Sequence, residues 1–166
     1  LEQCADEGRA LSQLLTRNQP QHHTMVFPLP APAEGLGEIA GIQSELLSAL
    51  SNLVANAVRY TPASGSITVK WRWLDDGGAV FSVQDTGPGI DPKHVPRLTE
   101  RFYRVDHSRS RETGGTGLGL SIVKHVLQRH DAVLEIDSKP GRGSTFSVHF
   151  PASRVRKPHN ALAMPT

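Results

Sequence analysis

Two asparagines in this 166-residue chain have the type and spacing to do chemistry. Asn52 and Asn56 are four positions apart, so on a helix they project from the same side. Asparagine is a poor helix former, and a pair inside one predicted helix indicates a use for the amide oxygens. Mg²⁺ takes oxygen ligands, few of them from protein, so an amide oxygen here suits that ion. A solvated helix face is the alternative interpretation.

Asp85 is the second candidate, because it ends a predicted strand on the side that carries Phe81 and Val83. A carboxylate on an apolar face is costly unless a partner hydrogen-bonds it. The exocyclic amino group of adenine is such a partner, and the glycines that follow, Gly87 and Gly89, would let a flat base approach the backbone. The alternative is a turn aspartate that caps its own loop, the common outcome for a bare Asp-x-Gly.

A glycine-rich segment, GTGLGL over residues 115–120, leads into a predicted helix. Free N–H groups at a helix start can receive phosphates. A P-loop is excluded, because Leu120 and Ser121 follow the last glycine where that motif requires Lys and then Ser or Thr. A dinucleotide fingerprint is excluded as well, because a long polar loop rather than a strand precedes the glycines.

Composition is that of an ordinary soluble domain, with 37% hydrophobic and 20% charged residues. The net charge of +2 gives no argument for a nucleic-acid partner. Cys4 is the only cysteine, which excludes a disulfide framework and a cysteine metal cluster. No apolar run approaches the roughly 20 residues of a membrane helix, so we expect this stretch of chain to be soluble.

Hydrophobic spacing predicts the elements that must position these residues. Apolar residues at helical spacing predict three helices, over 1–17, 45–60 and 118–130. The first is indicated by Leu11, Leu14 and Leu15, and Ser44 is the predicted cap of the second. Alternation predicts two hairpins, 67–73 with 81–83 and 133–137 with 145–150. A β-prone stretch over 23–27, followed by prolines, indicates an edge strand or a loop. Helices on one face of a mixed sheet make a two-layer α/β sandwich.

Four motifs in fixed order resemble the ATP-binding catalytic domain of sensor histidine kinases of two-component systems. They match its N box, first glycine box, F box and second glycine box: 52–61 (NLVANAVRYT), 85–90 (DTGPGI), 101–104 (RFYR) and 115–120. The resemblance covers about Phe27 to Pro151, and the segment from Pro96 to His125 is most similar to the phosphate-regulon sensor kinases.

The resemblance implies the histidine kinase/gyrase/Hsp90-type fold, with ATP and Mg²⁺ as cofactors. It implies that Asn56 binds Mg²⁺, that Asn52 beside it and Arg104 at the γ-phosphate are catalytic, and that Asp85 binds adenine. The remaining implied nucleotide contacts are Asn52, Asn56, Arg59, Tyr60, Gly87, Gly89, Ile90, Phe102, Gly115, Thr116, Gly117, Leu118, Gly119, Leu120 and Lys124. For Lys124 a plain surface lysine is an equal alternative. Gly141 and Gly143 are interpreted as a hairpin turn rather than a nucleotide site.

The segment between the two glycine boxes, residues 91–116, is implied to form a lid over the nucleotide. We predict a loop with one helical turn, anchored to the body of the domain by Phe102. Four other cations of this segment are interpreted as solvated: Lys93, Arg97, Arg109 and Arg111.

Related ATPases carry a glutamate one turn before the metal-binding asparagine, where it activates water. Asn52 occupies that position here, so a general base for hydrolysis is missing, which favours transfer to a protein acceptor. None of the eight histidines has the family's acceptor motif; His130-Asp131 imitates only its histidine–acid pair. We therefore expect the acceptor histidine on a separate helical domain.

The predicted organisation is a helical stump of the preceding dimerisation and acceptor domain (1–19), the catalytic domain (20–152) and a disordered tail (153–166). The resemblance implies the cytoplasmic part of a membrane-anchored homodimer, with a response regulator as partner and no nucleic acid. A stand-alone protein-serine kinase of the anti-sigma-factor type is one alternative, disfavoured by the intact F box and the first helix. A non-catalytic nucleotide-binding module is the other, disfavoured by the complete motif set.

Overall fold

The computed structural model describes residues 1–19, 21–27, 38–103 and 119–156. The helices are α1 (Glu2–Thr16), α2 (Gln43–Tyr60) and α3 (Gly119–Arg129), with 3₁₀ turns at Val95–Arg97 and Ala152–Arg154. The strands are β1 (Thr24–Val26), β2 (Glu38–Ile39), β3 (Ser66–Trp73), β4 (Ala79–Asp85), β5 (Val133–Lys139), β6 (Gly143–Phe150) and β7 (Val155–Arg156).

The main sheet has five strands in the order β1-β3-β4-β6-β5. β1 runs parallel to β3, and the other pairs are antiparallel, so the sheet is mixed as predicted. β1 lies at one edge, so of the two predicted alternatives, an edge strand or a loop, this segment forms the edge strand. In the centre of the sheet, Asp85 at the end of β4 is opposite Ile67 on β3 and Ser144 on β6.

One side of this sheet is apolar and is covered by helices. Its buried side chains come from β3, β4 and β6: Ile67, Val69, Phe81, Val83, Phe146 and Val148. They share one core with buried residues of α2 and α3, namely Leu53, Val54, Val58, Val123 and Leu127. The opposite side carries exposed polar residues such as Lys70, Gln84 and Glu135. This is the predicted two-layer α/β sandwich.

α2 positions the two asparagines and begins slightly earlier than predicted. It starts at Gln43, so Ser44 lies inside the first turn and is not the cap. The backbone N–H of Ile42 instead donates to Nε2 of His130, at 3.0 Å. α2 ends at Tyr60 as predicted, because Pro62 follows and the pre-proline residue Thr61 is extended, with φ −96° and ψ 129°.

α1 packs against α2 through small side chains. Along one side of α1 every fourth residue is buried: Cys4, Gly8, Ser12 and Thr16. A Cβ at Gly8 would lie 2.6 Å from Cγ1 of Val54, so the helices meet closely there. Of the three leucines that indicated this helix, Leu11 and Leu15 are half-buried and pack against the core, whereas Leu14 is 57% exposed.

The chain after β6 does not end in an unstructured tail at residue 153. β7 pairs antiparallel with β2, with Val155 opposite Ile39. The predicted start of the tail is therefore too early. A two-residue strand whose partner lies more than a hundred positions away has no periodic pattern of its own in the sequence. Residues 157–166 lie outside the described part of the chain, as do residues 104–116 of the predicted lid. The described lid residues contain the one predicted helical turn, at 95–97.

Candidate functional site

Asp85 is buried at the end of the central strand β4, with 7% of its surface exposed. Its Oδ1 accepts a hydrogen bond of 2.9 Å from the backbone N–H of Gly87. Burial raises the pKa of the Asp85 carboxyl above its ordinary value, while hydrogen bonds from the backbones of Gly87 and Ser144 lower it by less. The carboxylate thus caps its own turn and also lies in a partly desolvated position.

Gly87 brings this turn against the end of α2. A Cβ at Gly87 would lie 2.9 Å from Oδ1 of Asp85, 3.0 Å from the carbonyl oxygen of Tyr60 and 3.6 Å from Oγ1 of Thr61. Only glycine fits so close to a backbone carbonyl and a carboxylate. The structure therefore brings together the last residues of the N box and the first residues of the first glycine box, as the adenine assignment requires.

The turn between β5 and β6 supports the first glycine box from the other side. Gly89 has φ +73°, and a Cβ there would lie 2.1 Å from the carbonyl oxygen of Lys139. Gly143 has φ +109°, and its Cβ would lie 2.0 Å from the carbonyl oxygen of Asp85. The backbone N–H of Gly141 donates to the carbonyl of Pro88, at 2.7 Å. The second hairpin turn is therefore built against the site, a role that the sequence did not indicate.

The last two residues of the second glycine box, Gly119 and Leu120, begin α3, and Gly119 lies near Asn52. A Cβ at Gly119 would lie 3.9 Å from Oδ1 of Asn52. Asn56 is half-buried one turn further along α2. Tyr60 lies eight positions after Asn52 on this helix, which is about 12 Å along its axis. The candidate site is therefore elongated, with the Asp85 turn at one end of this stretch and the start of α3 at the other.

The residues present fit a nucleotide and a magnesium ion. In the described structure, Nε of Arg59 and Oγ1 of Thr61 are buried without a hydrogen-bond partner. Arg59 lies in the last turn of α2, and Thr61 follows that helix, close to the turn at Gly87. Among the described residues no three His, Cys, Asp or Glu side chains group to hold a metal. Two amide oxygens would suit Mg²⁺, which commonly takes its other ligands from phosphates and water.

The F box differs from the prediction. Phe102 is 66% exposed and has a left-handed backbone, φ 63°, so it does not anchor the described part of the lid. Tyr103 anchors the described part of the lid instead. It is half-buried, packs against the core, and its hydroxyl is hydrogen-bonded to Nδ1 of His94. The guanidinium of Arg97 lies 4.5 Å from the centre of the Tyr103 ring and pairs with Glu100, and Arg97 stays exposed as predicted.

The remaining predicted site residues divide into three groups. Ile90 and Leu120 are half-buried and pack against the core, so they shape the site from within. Lys124 is exposed on α3. The others lie outside the described residues, and their assignments stay predictions: Arg104, Gly115, Thr116, Gly117 and Leu118.

His130 is not available as a phosphate acceptor in this fold. It is 3% exposed, and both ring nitrogens are engaged. Nδ1 lies 2.8 Å from the carbonyl oxygen of Val126, so it carries the proton, and Nε2 accepts from Ile42. His130 joins the end of α3 to the start of α2.

Comparison with known proteins decides the family. A family model described as histidine kinase-, DNA gyrase B- and HSP90-like ATPase matches residues 41–154, which include both described ends of the site. The chain belongs to this family. Within it the ATPase domain is similar to the phosphate regulon sensor protein PhoR of Pseudomonas aeruginosa, with 64% identity over 118 residues, 71% of this chain and 26% of that protein.

Two further relatives agree. The PhoR of Haemophilus influenzae is 47% identical over 122 residues, 74% of this chain and 28% of that protein. The sensor-like histidine kinase SenX3 of Mycobacterium tuberculosis is 46% identical over 147 residues, 89% of this chain and 36% of that protein. The chain thus spans between 26% and 36% of the length of these curated relatives.

Solved structures share the fold of this ATPase domain. The mycobacterial sensor histidine kinase MprB matches with TM-score 0.66 and 24% identity, covering 93% of this chain and 97% of that one. The catalytic domain of histidine kinase ThkA matches with TM-score 0.69 and 21% identity, covering 92% of each chain. These matches confirm the predicted fold. Among the described helices, none has both the length and the apolar character needed to cross a membrane.

Proposed function

We propose that this domain binds Mg²⁺-ATP and transfers the γ-phosphate to a histidine on a separate helical domain, for onward transfer to a response regulator. The arrangement along α2 carries the proposal: the Asp85 turn lies at its C-terminal end, and the start of α3 lies beside Asn52. The similarity to phosphate regulon sensor proteins supports a sensor kinase over the other members of this ATPase family.

In this proposal Asp85 accepts a hydrogen bond from the amino group of adenine. The base lies against the turn at Gly87 and Gly89, and Tyr60 and Ile90 contribute to the pocket wall. The glycine at position 87 supports this role, because a side chain there would crowd Oδ1 of the Asp85 carboxylate. Phe102, exposed in this conformation, contacts the nucleotide only when the lid closes.

The phosphates extend along α2 toward α3. Asn56 is the proposed Mg²⁺ ligand, Asn52 lies beside it, and Arg59 meets the phosphates or ribose. Bound Mg²⁺ would neutralise charge on the phosphate oxygens. Backbone N–H groups at the start of α3, at Gly119, would receive phosphate oxygens, and Lys124 lies further along that helix. Arg104 and residues 115–118 complete the proposed phosphate end.

The transfer is a displacement at phosphorus. A nitrogen of the acceptor imidazole attacks the γ-phosphorus, the bond to the β–γ bridging oxygen breaks, and ADP leaves. Asn52 replaces the water-activating glutamate of related ATPases, and an amide is not a general base, which supports transfer over hydrolysis. Arg104 at the γ-phosphate would stabilise the charge that develops on its oxygens.

We further propose that α1 continues from the dimerisation and acceptor domain and that residues 20–152 form the catalytic unit. The parent protein would be a membrane-anchored homodimer with this domain in the cytoplasm, acting on a response regulator and without a nucleic-acid partner. The much greater length of the sensor proteins that the chain matches supports this division.

The test mixes this chain with a separately expressed acceptor-helix domain of a related sensor kinase and γ-labelled ATP. We expect slow labelling of the acceptor histidine, with a label lost in acid and retained in alkali. The rate is low because a tether, which commonly supplies a millimolar effective concentration, is missing. Acid-stable label on serine, or label on a histidine of this chain, would overturn the proposal.

A further inference from the structure

We infer that His23 is a positioning residue for the nucleotide site: it ties α1 to the residue that ends α2 and so holds the Asp85 turn in place. The inference rests on the proposed function, because its consequence is a change in nucleotide affinity. His23 is half-buried just before β1, within hydrogen-bonding distance of both helices.

The two ring nitrogens of His23 reach different elements. Nε2 lies 2.7 Å from the carbonyl oxygen of Thr61, and Nδ1 lies 2.8 Å from Oγ of Ser12 on α1. A carbonyl only accepts, so Nε2 carries a proton. In the neutral ring Nδ1 then accepts from the Ser12 hydroxyl, and one imidazole links α1 to the end of α2.

Thr61 needs this partner because α2 stops there. Its backbone N–H still donates to the carbonyl of Ala57, at 3.0 Å, but its own conformation is extended. Only 5% of Thr61 is exposed, so loss of the His23 proton donor would leave a carbonyl with little access to water. An unpaired buried acceptor is costly, and the chain would shift to solvate it.

A shift of Thr61 would reach the candidate adenine pocket by direct contact. The turn packs so closely on residues 60 and 61 that a Cβ at Gly87 would lie 3.0 Å from the Tyr60 carbonyl oxygen and 3.6 Å from Thr61 Oγ1. The backbone N–H of Gly87 in turn holds Oδ1 of Asp85. The path from α1 to the carboxylate therefore runs through Ser12, His23, Thr61 and Gly87, each in contact with the next.

The neighbouring histidine is a natural control. His22 is exposed, and its Nδ1 lies 2.7 Å from Oγ1 of Thr16 on α1. The Thr16 hydroxyl donates to the carbonyl of Ser12, at 2.7 Å, so it accepts from His22. In the hydrogen bonds of the described structure His22 is joined to α1, whereas His23 is joined to both helices.

Two near-isosteric substitutions separate the nitrogens of His23. In His23→Asn the side-chain oxygen can replace Nδ1 and accept from Ser12, but the donor to Thr61 is lost. In His23→Gln the amide nitrogen can replace Nε2 and donate to Thr61. The measurement is the Kd of a non-hydrolysable ATP analogue with Mg²⁺ at 25 °C, by calorimetry, on variants whose folded state is verified by circular dichroism.

We expect His23→Asn to weaken binding by about two- to tenfold, the range that one hydrogen bond supplies. His23→Gln should restore most of the affinity, and His22→Asn should stay within about twofold of wild type. A purely structural role would lower the melting temperature of His23→Asn and leave the Kd of the folded protein unchanged, which would overturn the inference. Equal effects of His22→Asn and His23→Asn would overturn it too.

If His23→Asn does not fold, the link is cut from the other side. Ser12→Ala removes the hydroxyl that holds Nδ1, and Thr16→Val is its matched control because Thr16 pairs with His22. Weaker binding in Ser12→Ala alone supports the inference, and wild-type affinity in both variants overturns it. If wild type itself does not bind the analogue, the proposed function fails instead, so the two failures are distinct.

Discussion

Asp85 has two properties that its sequence context offered as alternatives. It caps its own turn through Oδ1, and it is also buried at the end of an apolar strand face. The hydrogen bond to Oδ1 lowers the pKa of the Asp85 carboxyl and burial raises it, and burial has the larger effect. A buried carboxylate kept at a turn built from close glycine contacts is expected to have a partner, which supports a ligand rather than a purely local role.

At this residue we predict that Asp85→Asn weakens binding of a non-hydrolysable ATP analogue by at least about tenfold, since a hydrogen bond to a charged group contributes about 1.5–3 kcal/mol. Calorimetry measures it. Asp137→Asn, an exposed aspartate on the next hairpin, is the control and should bind as wild type does. Unchanged affinity in a folded Asp85→Asn variant would remove Asp85 from the site.

The raised pKa of Asp85 also predicts a pH dependence of stability. The folded state holds the Asp85 proton to higher pH than the unfolded chain does, because burial penalises the carboxylate. The contribution of this group to the free energy of unfolding therefore falls as pH rises from below the ordinary aspartate pKa to above the raised one. Chemical denaturation across this window should show that loss in wild type and not in Asp85→Asn; parallel curves for the two proteins would refute it.

Asn56 is predicted to act through the metal. Asn56→Ala should remove most of the Mg²⁺ dependence of ATP-analogue binding, while ADP affinity measured without metal changes little. Titrations with and without Mg²⁺ provide the comparison. Asn18→Ala, in the exposed turn after α1, is the matched control. A normal Mg²⁺ dependence in Asn56→Ala would withdraw the ligand assignment.

Among the structural elements, the β5–β6 hairpin packs against the first glycine box, although its sequence predicts only a hairpin turn. Gly143 lies against the backbone of Asp85, whereas a Cβ at Gly141 would meet nothing within 4 Å. Both glycines have positive φ, +81° at Gly141 and +109° at Gly143, so backbone strain alone does not distinguish them. The close approach of Gly143 to the Asp85 carbonyl does distinguish them.

We therefore predict that Gly143→Ala costs more stability than Gly141→Ala. Each alanine is strained at positive φ, at a cost of about 1–2 kcal/mol. Gly143→Ala adds a clash with the Asp85 carbonyl and should also weaken nucleotide binding, while Gly141→Ala should not. Urea unfolding and calorimetry measure the two effects, and equal losses from both substitutions would show that the hairpin turn does not support the glycine box.

The spacing of apolar residues predicts most of these elements, because each main helix and strand has a periodic pattern within its own sequence. This spacing predicts α2, α3 and the two hairpins. Features that depend on contacts between distant segments of the chain could not be predicted from it. β7 pairs with β2, small residues of α1 pack against α2, and the backbone N–H of Ile42, the N-cap residue of α2, donates to His130. In the F box, spacing alone could not show that the backbone at Phe102 turns its ring outward and leaves Tyr103 inside.

For the whole molecule, the motifs predict the two ends of the candidate site but not the contacts that hold these ends in place. Asp85, Gly87 and the asparagine pair were predicted from residue type and spacing. The supporting contacts of Gly143, Thr61 and His23 arise only when separate segments meet in the fold. We propose that one elongated nucleotide site runs along α2, with adenine at the Asp85 turn and the phosphates at the start of α3.

The most direct test follows the backbone amide signals of Gly87 and Gly119 in a ¹H–¹⁵N spectrum during nucleotide titration. A non-hydrolysable ATP analogue with Mg²⁺ should shift both signals with the same Kd, because one ligand reaches both ends. Adenosine alone should shift the Gly87 signal and leave that of Gly119 in place. If adenosine shifts the Gly119 signal, or the ATP analogue leaves the Gly87 signal unchanged, the nucleotide does not lie along α2 in the proposed direction.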